Sequence, residues 1–171
     1  LAGTKRGGFA VVGQDENTAR LDVAAAGLVP VPVGEGCAFG AKEICCTASG
    51  TDFVLVLDGE EVPVHTKLLG AHNAFDIALA AAMAYRLGLS AEEIARGVGR
   101  IGYVPHRLQP VAAGGVTVLD DSYNSNVRGA AEALRVLRLF GGRKFVVTPG
   151  LVELRVLERE ENEALGAQLC G

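Results

Sequence analysis

Long apolar runs, long runs of one charge and cysteines at ligand spacing are all missing from this sequence. No apolar stretch reaches the roughly 18 residues that a membrane span requires, because the alanine-rich segment around Ala78 to Ala84 is bounded by Asp76 and Arg86. No signal peptide is visible. The 16 basic and 20 acidic residues give a formal charge of -4 with no long single-sign run, which argues against nucleic acid or a membrane as partner. The four cysteines, Cys37, Cys45, Cys46 and Cys170, lack zinc-ligand spacing. In a strand the adjacent Cys45 and Cys46 point to opposite faces, so neither a metal site nor a disulfide framework is suggested, and reduced thiols in the cytoplasm are expected. A phosphate loop is missing too: Gly3-Thr4-Lys5 is followed by Gly7-Gly8 and only then by the strand-like Phe9 to Val12. A working loop needs its Lys beside a Ser or Thr that opens a helix after a strand.

What is present fits a globular α/β protein. The 171 residues, 49% of them hydrophobic, suffice for one medium domain or two small ones. Phe9 to Val12 predicts a strand, and Thr18 to Ala26 a short helix stopped by Gly27. Short strands then follow at Val29–Val33, Ala41–Ser49 and Asp52–Leu57, with Asp58-Gly59 as a hairpin turn before Glu60 to Leu69. His65 in the returning strand reads as a solvent-facing or satisfied strand histidine, with no second ligand or carboxylate at a useful spacing. Phe75, Leu79, Met83 and Leu87 recur every four residues, predicting a long helix buried on most sides. Its first turn carries His72, Asn73 and Asp76, polar groups that suit either a cap or a ligand. Ser90 to Glu93 is a capping box for the next helix. The G-x-G-x-x-G string from Gly97 to Gly102 ends that helix instead of linking a strand to one, so it is not a dinucleotide site. Tyr103 to Pro110 reads as a linker, with Arg107 beside the boundary.

The stretch Asp120-Asp121-Ser122-Tyr123-Asn124-Ser125-Asn126 follows the strand-like Val116 to Leu119. Ligands collect at the carboxyl edge of open α/β sheets, and two carboxylates, a tyrosine and two asparagines exceed what a helix cap needs. Asn126 is the expected N-cap of the helix that follows. Phe145 to Val147 reads as a second strand parallel to Val116–Leu119, with a charged helix from about Val156 to Leu169 after it.

The segments Leu68 to Asn73, Pro105-His106-Arg107 and Asp120 to Asn126, with Thr148 to Leu154, resemble motifs of the Mur ligases. They look most like the members that add D-alanyl-D-alanine to UDP-N-acetylmuramoyl-tripeptide. The resemblance implies that residues 1–105 are part of the family's central ATPase domain. Residues 106–171 would then form the first half of its C-terminal domain, an incomplete Rossmann-like parallel α/β unit. It implies ATP and magnesium as cofactors, and that tripeptide and dipeptide as partners. His72, Asn73, Asp76, Arg107 and Asp121 would bind the nucleotide, Asn73 and Asp76 at the adenine and Arg107 and Asp121 at the phosphates and ribose, while Ser122, Tyr123, Asn124 and Asn126 would face the dipeptide. The types suit the roles, since an amide can pair with the edge of adenine and a guanidinium can hold phosphate through two N–H groups.

Some positions depart from the family pattern. Asp76 stands where Asn is usual, Gly13 to Glu16 replace an Asn-x-Asp-Asp pattern, and Arg155 replaces a usual glycine. The phosphate loop and the magnesium-binding lysine do not occur in the chain, so its catalytic residues are unknown, a fragment is expected and turnover by the chain alone is not. A folylpolyglutamate synthase-like ligase and a non-catalytic nucleotide-binding module are the competing readings.

Overall fold

The computed structural model describes residues 7–15, 17–152 and 154–170. Gly3-Thr4-Lys5, Glu16 and Glu153 lie outside them. Strand β1 (Phe9–Gly13), helix α1 (Asn17–Ala25) and strand β2 (Val29–Val33) come first, with β2 parallel to β1. Gly27, at φ 72°, makes the left-handed turn that closes α1. Strand β3 (Phe39–Thr47) joins β2 through the single pair Val33 and Phe39, and then pairs antiparallel with β4 (Gly50–Leu57). Asp58 and Gly59 turn the chain into β5 (Glu60–Thr66), completing a five-stranded sheet in sequence order. Phe53, Leu55 and Leu57 are all buried while Asp52 is exposed, so alternation in β4 puts one face on the core.

Helix α2 (Ala71–Arg86) packs across β1 to β4, and α3 (Ala91–Val98) packs on β5 and α2. The face that α2 buries corrects the sequence reading. Ala74, Ile77, Ala78, Ala81 and Ala82 are buried, whereas Phe75, Met83 and Leu87 are exposed. Small side chains let the helix axis approach the sheet closely, and the bulky residues every fourth position drift to the far side. Ser90 caps α3 by accepting from Glu93 N–H while the Glu93 carboxylate accepts from Ser90 N–H. Gly97 and Gly99 stand in the last turn and at the C-cap of α3, as the rejected dinucleotide string requires.

Beyond Pro105 the segment read as a linker is partly a strand. Strand β6 (Gln109–Ala113) pairs antiparallel with β7 (Val116–Asp120), and Gly114 and Gly115, both at positive φ, form the two-residue turn between them. The parallel partner expected for Val116–Leu119 is therefore corrected: Phe145–Val147 enters neither sheet, and Phe145 and Val147 are exposed. A parallel pair needs a crossover and cover on both faces, whereas a two-residue glycine turn closes a hairpin locally. Helix α4 (Val127–Arg138) follows, capped by Asn126, whose side-chain oxygen accepts from Gly129 N–H. A 3-10 turn, Arg155–Leu157, leads into α5 (Glu158–Cys170).

Arg155 adopts φ 55°, the left-handed region. That is the physical reason a glycine suits this place. An L side chain there costs about 1–2 kcal/mol, partly offset because glycine has more freedom to lose on folding. Arg155→Gly is expected to raise stability by up to about 1 kcal/mol, read from urea unfolding midpoints.

Candidate functional site

The three segments singled out in the sequence converge on one small apolar cluster. Leu69, Leu108 and Val136 are buried together, with Leu119, Ala133 and Phe140 packed against them. Leu69 stands just before Gly70, the N-cap of α2, Leu108 follows Arg107, and Val136 and Ala133 belong to α4. Burying them fixes the start of α2 beside the chain around Arg107 and the strand end at Asp120.

Polar contacts then tie residues 106–108 to residues 120–123. His106 Nδ1 lies 2.8 Å from Asp120 Oδ2, Leu108 N–H donates to Asp121 Oδ1 at 3.1 Å, and Tyr123 N–H donates to the His106 carbonyl at 3.2 Å. The Arg107 guanidinium sits 4.3 Å from the centre of the Tyr123 ring, a stacking geometry that holds a cation without using all its donors. Arg107 and Tyr123 are both exposed, so the guanidinium stays open to an anion.

The two adjacent carboxylates have opposite electrostatics. Hydrogen bonding to the Ser122 hydroxyl, then to His106 and the Ser122 N–H, holds the Asp120 carboxyl below its ordinary range. Burial pushes the Asp121 carboxyl above its ordinary range, and the Leu108 N–H and the Arg107 charge offset this only in part. Because neighbouring strand side chains point to opposite faces, the resemblance that gives Asp121 to the nucleotide leaves Asp120 to hold the loop. In the structure both carboxylates hold backbone, Asp120 through Ser122 and Asp121 through Leu108.

At the first turn of α2, Asn73 Nδ2 donates to the Leu69 carbonyl at 2.8 Å and lies 3.0 Å from His72 Nε2. His72 Nδ1 is buried with no hydrogen-bond partner, 3.7 Å from Glu132 Oε2. Asp76, Asn124 and Ser122 are exposed, and the Asn126 side-chain oxygen is already taken by Gly129. The structure thus gathers His72, Asn73, Arg107, Asp121 and Tyr123 around one junction, and leaves Asp76 and Asn124 outside its hydrogen-bond network.

Other residues were not visible from spacing. Glu132 on α4 faces His72, and it pairs with Arg135. Asn162 on α5 clamps Leu151 at both ends, accepting from its N–H at 2.8 Å and donating to its carbonyl at 2.7 Å. Asp52 pairs with His65 across β4 and β5 at 2.9 Å, correcting the reading that no carboxylate stands near that histidine. Cross-strand register, not sequence separation, brings it there. A cavity of about 580 Å³ on α5 is lined by Arg155, Val156, Glu158, Arg159, Asn162 and Glu163 and includes none of the junction residues. Among the described residues no three His, Cys, Asp or Glu side chains are grouped to hold a metal ion. The described residues thus offer no ready-made all-protein magnesium site, and magnesium is usually held by one or two carboxylates together with substrate phosphates.

No family model matches the chain. The UDP-N-acetylmuramoyl-tripeptide--D-alanyl-D-alanine ligase of Escherichia coli (strain K12) is 34% identical over 132 residues, 77% of this chain and 28% of that protein. MurF from Acinetobacter baumannii superposes with a TM-score of 0.86 at 29% identity, over 95% of this chain and 36% of that one. The chain belongs to the Mur ligase family. It spans well under half the length of the Mur ligases it matches. A MurF ligase from Thermotoga maritima, solved in complex with ADP, shares the fold at a TM-score of 0.83 and 21% identity, over 97% of this chain and 39% of that one. The folylpolyglutamate synthetase of Lactobacillus casei also shares the fold, at 0.71 and 17%, over 98% of this chain and 41% of that one. Fold alone thus does not separate the two ligase types, whereas sequence identity favours the Mur ligases.

Proposed function

We propose that this chain supplies the adenine-nucleotide-facing junction of an ATP-dependent amide-bond ligase that joins D-alanyl-D-alanine to UDP-N-acetylmuramoyl-tripeptide. The observation that carries the reading is the convergence of Leu69 to Asn73, His106 to Leu108 and Asp120 to Tyr123 on one buried cluster with an exposed guanidinium at its edge. On this reading residues 1–105 belong to a central domain and residues 106–171 begin a C-terminal one, with the nucleotide between them. Asn73 meets the base and Arg107 the phosphates, while the Asp121 oxygen not used by Leu108 meets the ribose. Ser122, Tyr123 and Asn124 face the incoming dipeptide. Bound ATP supplies the phosphoryl group that activates the tripeptide carboxylate for attack by the dipeptide amine. The chain's own part is positioning and charge, and no step is assigned to magnesium. Turnover by these 171 residues alone is not expected.

Arg107→Ala tests the phosphate role. Losing a charge-assisted hydrogen bond of about 1.5–3 kcal/mol weakens ADP binding by roughly tenfold or more, and the loss should shrink at high salt. Calorimetric titration showing equal ADP affinity in both proteins at low salt would refute the role of Arg107.

A further inference from the structure

The orientation of the Asn73 amide is determined by two neighbours, and one of them depends on a residue from another element. Donation to the Leu69 carbonyl identifies the Asn73 nitrogen and turns its oxygen away from that carbonyl. The second hydrogen of the same nitrogen faces His72 Nε2 at 3.0 Å. A ring nitrogen that accepts carries no proton, so neutral His72 must hold its proton on Nδ1. That Nδ1 is buried and has no hydrogen-bond partner, and the carboxylate it faces is Glu132 of α4 at 3.7 Å. With the proton on Nε2 instead, two donors would face each other. The amide would then be driven to flip, setting its oxygen against the Leu69 carbonyl. Only the Nδ1–H tautomer satisfies both neighbours.

We propose that Glu132 is a positioning residue for base selection. It holds the Nδ1–H tautomer of His72, and His72 in turn holds the Asn73 amide with both N–H groups occupied. The polar atom that Asn73 leaves for a ligand is then an acceptor, Oδ1. A purine that meets it must present a donor. The exocyclic amine of adenine does so, whereas the carbonyl of guanine at the same ring position would place oxygen against oxygen. This rests on the nucleotide reading above and adds the device that sets its preference.

The test uses the 171-residue chain labelled with nitrogen-15 and two substitutions, Glu132→Ala and Glu132→Gln. Both residues are compatible with a helix interior, so α4 is retained. Imidazole nitrogen shifts should show His72 protonated on Nδ1 in the wild type and in Glu132→Gln, whose amide still presents an oxygen toward Nδ1, and a shift toward Nε2–H in Glu132→Ala. Titration of the same samples should give ADP affinity at least about tenfold above GDP affinity in the wild type and in Glu132→Gln. In Glu132→Ala the ratio should fall severalfold. An unchanged tautomer in Glu132→Ala overturns the role of Glu132 whatever the nucleotides do. A changed tautomer with an unchanged ADP-to-GDP ratio overturns base selection while leaving the nucleotide reading intact. Failure of the wild type to bind either nucleotide, with the expected tautomer present, refutes the nucleotide reading itself and base selection with it.

Discussion

Gly70→Ala is expected to destabilise the protein by about 2–4 kcal/mol, the sum of a forbidden backbone angle and an overpacked junction. Gly70 is the N-cap of α2 at φ 97°, and a Cβ there would lie 2.8 Å from His72 Cε1 and 2.9 Å from Val136 Cγ2. Gly88, just after the same helix, provides the control. It too has φ 97°, but a Cβ there meets nothing within 4 Å. Gly88→Ala should therefore cost only the backbone part, about 1–2 kcal/mol. The difference between the two variants in urea unfolding measures how tightly α2 is held against α4. Equal losses would mean that the contact among Gly70, His72 and Val136 yields without cost.

Asp121→Ala should lower stability by about 1–3 kcal/mol, because the Leu108 N–H loses its acceptor at a half-buried site. Asp121→Asn keeps an oxygen for that N–H and should be close to neutral. The pH dependence carries a sign. Burial raises the folded-state value of Asp121, so its contribution is fully present below the ordinary carboxylate range and is lost as pH rises through the raised value. Stability of the wild type relative to Asp121→Asn should fall as pH climbs through that window. Asp120 has the opposite sign. Its value is lowered, chiefly by Ser122, so its contribution is present above the ordinary range and is lost as pH falls. Unfolding curves of Asp120→Asn and Asp121→Asn across the acid range should diverge from the wild type in opposite directions, and parallel behaviour would contradict the assignment.

Much of the local structure was legible because local chemistry determines it. The Ser90–Glu93 capping box, the Asn126 cap and the Asp58-Gly59 turn each involve groups a few residues apart, and each forms as expected. What failed depends on distant partners. The four-residue spacing of Phe75, Leu79, Met83 and Leu87 marks a face of α2, but not which face the sheet selects, and close approach favoured the alanines. In the sequence Gly114-Gly115 only precedes the strand-like Val116 to Leu119, and it is the pairing with β6 that makes it a hairpin turn. The candidate site was readable as three motifs, yet the residues that fasten it, Leu69, Leu108 and Val136, look like ordinary apolar positions. Glu132 and Asn162 carry no sequence signal at all. Each acts on a group brought to it by helix packing.

On the proposed function, the junction of α2, Arg107 and the strand end at Asp121 receives an adenine nucleotide. Nitrogen-15 spectra of the chain recorded during an ADP titration test it most directly. The predicted result is saturable shift changes in the Asn73 side-chain amide, the His72 ring, the Arg107 guanidinium and the Tyr123 N–H, with Asn162 and the cavity on α5 unaffected. Changes confined to that cavity, or none at the junction at millimolar ADP, would contradict the account.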